Sequence, residues 1–547
     1  MKRQYSEQLQ CVLVRLIVVL VVPVILTGCS IWRTEKDVSC ENLRQKLDRI
    51  ETVQLADQSV SEPITVEQAT EQITNEVNEP NEPRQTVELS LEQVRAAALT
   101  NNLDLKIELV NPSISLRSLN QEQAKFEPSA FGSADYTRTG GAGTGTTTRT
   151  YEAEAGVEAP LPTGGSIEAS VPFSDTDSGG LADAAVSVSY IQSLLRGAGT
   201  RINTHSIRIA EHQWNIISAR TKLAAIYLLA SADVAYWRLY AARKELDVRR
   251  EQYKLAQNQL SHAKKKVAAG SAAKIEIVRA EAGLSERLEA VINAETALQT
   301  RRRDLLRIMN QADLPFEADV DIATQTEPNP LGLDLDEKQL IEQALSNRME
   351  MIQLEQNLTI DDLNIELARN SMLPDLTVGY TYTAYAQDNS PRQSFNDLSG
   401  SSLDIHSVGV SATIPLGNRA AKADYQQARL VKIQDEASLD RQRQAIRQEV
   451  YEAVSELRRN WRRILAAEQG VTAAYRDYKV EQSQFQLGVR TSTDVLYSAT
   501  RLADAELRKI YAFADYEIAQ IYLARATGTL LGKEQINIIP VDLDSNS

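Results

Sequence analysis

The stretch Phe485–Leu496, FQLGVRTSTDVL, separates two helical patterns. Upstream of it, Val450, Leu457, Ile464, Val471, Tyr478 and Phe485 recur at every seventh position. An apolar residue at that interval keeps one seam turned toward a partner helix and coils the pair left-handedly. Gly488 can take positive φ and end such a helix without a Cβ clash. Thr491 and Asp494 stand three apart before a new apolar-periodic run, the Ser/Thr-x-x-Asp/Glu arrangement of a helix start. The stretch reads as a reversal between two long helices.

The same reversal occurs earlier in the chain. VAAGSAAKIEIV, residues 267–278, matches it position by position, so Gly270 answers to Gly488, Ser271 to Val489 and Glu276 to Asp494. Ahead of it, Ala232, Leu239, Leu246, Tyr253, Leu260 and Val267 form a seam in the same register. Ala273 stands where Thr491 does and caps nothing, yet the acid is kept. The two acids therefore read either as helix-start carboxylates or as groups with a further role at the tip. Further upstream, LEQVRAAALTNNLDLKI (91–107) matches EKQLIEQALSNRMEMIQ (337–353), with Pro128 and Tyr136 at the offset of Pro374 and Tyr382. The chain is an internal duplication. Arg201 to Val267 as one helix is about 100 Å long at about 1.5 Å per residue, a rod that can span a compartment and forms no compact core.

Between the helices the period changes to two. Leu376, Val378, Tyr380 and Tyr382 alternate with threonines and glycine, and Val408, Val410, Ala412 and Ile414 alternate with serine, glycine and threonine. Such segments are strands with one apolar and one wet face. The first unit shows four, roughly Phe131–Arg138, Tyr151–Ala159, Ser166–Phe173 and Ala184–Tyr190. A short turn, PLPTGG (160–165), and long polar loops (139–150, 174–183) connect them in alternation, the habit of a membrane barrel. Two to four strands per unit cannot close alone, and lipid leaves no unpaired edge satisfied, so several chains must share one barrel. A soluble sheet is the competing account. Tyr380, Tyr382 and Tyr385 suit an interfacial aromatic belt or plain packing between strands.

The N-terminus gives an address. Lys2, Arg3 and Arg15 precede the apolar run Leu16–Leu26, followed by Thr27-Gly28-Cys29. The run is short of the about 20 residues a spanning helix needs and has the form of a secretory signal, with Pro23 counting against an uncleaved anchor. With Cys11 in the signal and Cys29 at its end, only Cys40 is left over, so no internal disulfide framework exists. Residues 33–85, rich in Glu, Gln, Thr and Asn, read as a flexible tether. The net charge of −15 argues against nucleic acid as the main partner. The four histidines, His205, His212, His262 and His406, have no Cys or carboxylate set at zinc spacing. GGAGTG (140–145) lacks the Lys-Ser/Thr of a phosphate loop, and GVSATIPLG (409–417) is a strand and turn, not a nucleophile elbow. No enzyme is indicated.

Two resemblances complete the reading. LTGC, ending at Cys29, resembles the bacterial lipobox, which implies cleavage before Cys29, acylation of its sulfur and, with Ser30 next, the outer membrane. The duplicated unit resembles the TolC-like outer-membrane efflux proteins over residues 88–533: a helix ending AL-Thr/Ser-N, a proline before the first strand, GVRTSTDVL (488–496), and SLLRGAG (193–199) in place of one branch's QPLLRGxG. The resemblance implies a mainly α fold with membrane β, a homotrimer with one shared outer-membrane barrel continued by a periplasmic coiled-coil tunnel. It implies a passive duct serving a periplasmic adaptor and an inner-membrane pump, with no cofactor beyond the lipid on Cys29. It places adaptor contacts at Gly270, Ser271, Gly488 and Val489. It makes Asp494 an acidic ring at the constriction, Arg490 a tie to the neighbouring hairpin, and Glu276 a partner of a tyrosine whose place Phe485 takes here. The expected boundaries are a signal at 1–28, a tether at 29–86, repeats at 87–314 and 335–533, a linker at 315–334 and a tail at 534–547. The first unit departs from the family by its extra strands. Either all six strands per chain join a barrel of eighteen, or residues 151–171 form a hairpin outside a barrel of twelve. Glu152, Glu154, Glu158 and Glu168 would then face the lumen or line a solvated hairpin. A periplasmic coiled-coil adaptor or scaffold lipoprotein is the reading from another class; two matched hairpins with strand pairs count against it.

Overall fold

The computed structural model describes residues 86–140, 147–177, 182–317, 320–398, 403–487 and 489–533, all within one compact unit, Glu82–Ser547. Cys29, Cys40, Gly488, the signal, most of the tether and the tail lie outside the described residues.

The chain enters on β1 (Thr86–Leu89) and α1 (Leu91–Asn101). Ser90 caps α1 reciprocally: its hydroxyl accepts the Gln93 N–H at 3.2 Å, and the Gln93 side chain accepts the Ser90 N–H at 2.9 Å. The helix breaks at Asn102, whose side chain accepts the Leu105 N–H at 3.1 Å and starts α2 (Leu103–Gln123). Four strands follow, β2 (Ser129–Gly140), β3 (Thr147–Leu161), β4 (Gly165–Thr176) and β5 (Ala182–Ser193). Then come α3 (His205–Ala268), α4 (Ile275–Met309) and the short β6 (Asp321–Thr324). The second unit repeats the plan with α5 (Glu337–Asn347), α6 (Met349–Ser371), β7 (Asp375–Asp388), the short α7 (Pro391–Asp397), β8 (Leu403–Thr413), α8 (Arg419–Gln486) and α9 (Ser492–Ala526).

The stretch expected to be linker, 315–334, holds β6, which pairs in parallel with β1 from Thr86↔Asp321 to Leu89↔Thr324. Sequence patterning has no purchase on a strand of four residues. The contact clamps the start of the first unit to the junction between units, and Tyr236 of α3 joins it: its hydroxyl donates to the Leu89 carbonyl at 3.2 Å and accepts the Thr326 N–H at 2.8 Å. Leu89, Val94, Tyr236, Leu239, Leu305, Leu306 and Ile322 form one buried cluster here. Its counterpart in the second unit gathers Ala344, Ile446, Val450, Leu457, Tyr516 and Ala519.

The helices pack in a layer. α2 lies against α3, α3 against α6, and α6 against α8, while α4 and α9 pair with α3 and α8 as hairpins. Both seams are buried near the junction and lose cover toward the reversals. Ala232, Leu239, Leu246 and Tyr253 are buried, whereas Leu260 and Val267 are half-buried. In the second unit Val450, Leu457 and Ile464 are buried and Val471, Tyr478 and Phe485 are half-buried.

All six long strands form one antiparallel sheet in the order β2-β3-β4-β5-β7-β8. The strands are longer than the alternation alone indicated, because the glycines, threonines and charged residues at their ends keep the period without an apolar signal. Ile414 falls just beyond β8. The hairpin of β3 and β4 is bonded along its length on both sides, to β2 and to β5. Tyr385 does not belong with Tyr380 and Tyr382. It sits an odd number of residues away, so it points to the other face, where its hydroxyl donates to Asp183 at 2.6 Å.

Candidate functional site

At the first reversal, α3 ends through a backbone bond from the Ser271 N–H to the Lys266 carbonyl at 2.9 Å, with Gly270 at φ +70. At the second, the Val489 N–H donates to the Gln484 carbonyl at 3.0 Å, the same bond at matching positions. At the first, Gly270 supplies the left-handed residue that such a helix end favours.

The return helices start differently. Thr491 and Asp494 form a full capping box: the Thr491 N–H and hydroxyl donate to Asp494 Oδ2 at 2.9 and 2.7 Å, and the Asp494 N–H donates back to Thr491 Oγ1 at 3.3 Å. These bonds, the Thr491 hydroxyl first, hold the Asp494 carboxyl below the usual carboxylate range. In the first unit no side chain caps α4; Glu276 instead accepts from Arg279 Nη1 at 2.9 Å. The acid at this position is kept with two different partners.

A groove of about 430 Å³ brings the two reversals of one chain together, lined among others by Ser271, Glu276, Phe485, Thr491 and Asp494. Val489 and Arg490 stand away from it. The Arg490 guanidinium turns back onto its own helix, with Nε donating to Gln484 at 3.0 Å and lying 3.3 Å from Glu481. Phe485 has no hydroxyl for Glu276; Lys266 Nζ sits 4.3 Å over its ring instead. Lys266 escaped the sequence reading. It lies one residue before the last seam position of the first unit, where a side chain reaches across the seam.

The sheet carries the second set of candidates. Glu152, Glu154, Glu158 and Glu168 all point to its polar face, with Asp135 and Asp183. The opposite face is largely apolar: Ala134 and Tyr136 on β2, Tyr151, Ala155 and Val157 on β3, Ile167 and Val171 on β4, Val186 and Val188 on β5, Tyr380 and Tyr382 on β7, Val408 and Val410 on β8, where His406 and Asp404 share the face and bond the Tyr380 and Tyr382 hydroxyls. Past the Tyr136–Tyr151 pair, 5.2 Å between centroids, the same face ends in Arg138 opposite Arg149. Aromatics and then arginines at the end of an apolar band suit the edge of a lipid layer. Among the described residues no helix is long and apolar enough to cross a membrane, and no group of three or more His, Cys, Asp or Glu side chains could hold a metal.

A two-faced antiparallel sheet joined to two paired coiled-coil hairpins is the fold of a TolC-type protomer. The comparisons agree. The family model described as outer membrane efflux protein matches residues 340–529. The chain is 24% identical over 320 residues to Outer membrane protein TolC of Vibrio cholerae, covering 57% of this chain and 70% of that one. It is 22% identical over 347 residues to Outer membrane efflux protein BepC of Brucella suis, covering 63% and 72%. Among solved structures, the Campylobacter jejuni CmeC outer membrane channel superposes with a TM-score of 0.64 at 14% identity, over 83% of this chain and 90% of that one. The second unit thus matches the outer membrane efflux protein family over residues 340–529, and the chain as a whole has the fold of the outer-membrane channels it is similar to.

Proposed function

We propose that this chain is the exit duct of an efflux or secretion system. Three copies share one barrel in the outer membrane, their helices enclose a periplasmic conduit, and the reversals at 267–278 and 485–496 form its inner mouth. A periplasmic adaptor docks at Gly270, Ser271, Gly488 and Val489 and shifts the mouth from closed to open, in company with an inner-membrane pump. Glu276, Arg490 and Asp494 border that mouth. Lipid on Cys29 anchors the chain through the tether. The observation that carries the reading is the sheet with one largely apolar and one polar face whose two edge strands, β2 and β8, have no partner on their outer sides among the described residues. In lipid such edges must be paired, and a further copy of the same chain supplies both missing partners. The protein should fractionate with the outer membrane as a detergent-dependent trimer that dissociates only on heating. A water-soluble monomer after removal of the lipid overturns the proposal. Cys29→Ala should abolish acylation while trimers still form, since the barrel holds them in the membrane.

A further inference from the structure

We infer that the β3–β4 hairpin is part of the barrel wall, so that each chain contributes six strands and three copies close a barrel of eighteen. The inference rests on the reading of the chain as a trimeric membrane duct. Its own support is the sheet. β3 pairs with β2 from Ser129↔Glu158 to Gly140↔Thr147, and β4 pairs with β5 from Gly165↔Gln192 to Ser174↔Asp183. A hairpin standing outside the wall would leave β2 and β5 to pair with each other. The face parity also runs unbroken through the added strands: Ala134, Ala153 and Phe173 fall on one side, and Asp135, Glu152 and Ser174 on the other. Two like-charge pairs, Asp135↔Glu152 and Glu158↔Glu168, stand directly opposite each other on the polar face. Such pairs are destabilising on a packed face and tolerable where water screens them, as in a wide lumen.

The hairpin turn is seated at the rim. A Cβ on Gly164 would fall 2.0 Å from the Gly197 carbonyl oxygen, and one on Gly165 would fall 2.3 Å from the Ile191 carbonyl oxygen. The Gly199 N–H donates to the Thr163 carbonyl at 2.9 Å, and the Ser193 N–H to the Gly164 carbonyl at 3.2 Å. PLPTGG and SLLRGAG are thus two halves of one contact. The second half also ties β5 to β7, through the Leu194 N–H on the Leu376 carbonyl at 2.8 Å and Arg196 on Asp375 at 2.6 Å.

The added strands also match the wall to the helices beneath it. Strands about 4.8 Å apart and tilted about 40° take about 6 Å of circumference each. Six give an arc of about 38 Å per chain, and four would give only about 25 Å. The layer α2-α3-α6-α8, at about 9 Å between axes, spans about 36 Å. Three copies of the six-stranded arc make a barrel about 36 Å across, against about 24 Å for twelve strands. The edges fit head to tail. β2 runs away from the helices and β8 returns toward them, so β2 of one copy meets β8 of the next antiparallel.

The test uses the full chain in outer-membrane vesicles, with Cys40→Ser as the blank and single substitutions Glu154→Cys, Ala155→Cys, Ser187→Cys and Val188→Cys. The probes are a membrane-impermeant maleimide and, for an attached fluorophore, quenching by brominated lipid. The expected result is maleimide labelling at 154 and 187, its loss at 155 and 188, and lipid quenching only at 155 and 188. Alternation at 187 and 188 with water access at both 154 and 155 overturns the hairpin's place in the wall and leaves the duct intact. Loss of alternation at all four positions overturns both readings. End-on images of purified trimers should show the barrel about half again as wide as a twelve-stranded one; an assembly of two copies, or a twelve-stranded width, overturns the count.

Discussion

Asp494 illustrates how one carboxylate serves two ends. Its bonds with Thr491 start α9, and the same bonds keep it charged at the second reversal. Because its pKa is lowered, the contribution of the charged cap is complete above the ordinary carboxylate range and is lost as pH falls through the lowered value. Acidification should therefore loosen the second reversal before the first, which has no such cap. Resting single-channel current should rise on the acid side in the wild type and be high with little pH dependence in Asp494→Asn. Cation block of the channel is a separate readout: if Asp494 borders the constriction, Asp494→Ala should weaken inhibition by divalent cations as well. Arg490 in the protomer holds Glu481 and Gln484 of its own helix, so Arg490→Ala should raise antibiotic leakage by freeing that turn. Lys266 and Phe485 join the two reversals of one chain. Lys266→Met and Phe485→Ala should each raise vancomycin sensitivity, and together should do no more than either alone, because both remove one contact.

The long helices were the most legible elements, since a seven-residue repeat sustained through six positions in each unit has no competing explanation in a globular protein. What the repeat does not show is how firmly each position is packed. Leu239 and Leu457 are almost fully buried, at 0% and 2% exposure, whereas Leu260 and Val471 are half-buried. Leu239→Ala or Leu457→Ala should cost about 2–5 kcal/mol. Leu260→Ala and Val471→Ala should cost less in an isolated protomer and show their effect in the assembled tip. Thermal melts of trimer and of heat-dissociated, refolded protomer separate the two. Elsewhere on the rods, burial and then Asp435 on α8 push the Asp361 carboxyl of α6 up to about 6. Stability from a raised carboxyl is full below its unfolded pKa and declines as pH rises through the folded value. Asp361→Asn should thus raise the melting temperature above pH of about 6 and leave it unchanged in acid. Nothing in the sequence marked Asp361, because its environment is made by a helix some seventy positions away.

At the scale of the whole molecule, the duplication made the architecture readable and its single breach made the width of the barrel uncertain. The strands of the second unit could be read from alternation, as could their partners in the first; whether the additional pair lay in the wall was a question of register. Register is fixed by cross-strand partners and by the seat of the turn, and neither is local in sequence. The breach is also the place to test the whole. β2 leads away from the helices and β5 returns, so removing residues 147–176 leaves an up-and-down pair that restores the plan of the second unit. Ala130, Ala134 and Tyr136 can face the same way as Val186, Val188 and Tyr190, since both strands keep period two. The shortened chain should still reach the outer membrane and form heat-dissociable trimers, with a barrel about one third narrower in end-on images. It should pay for the change at the rim, where Gly197 and the Gln192 side chain lose the turn that covers them, so its trimers should dissociate at a lower temperature than the parent's.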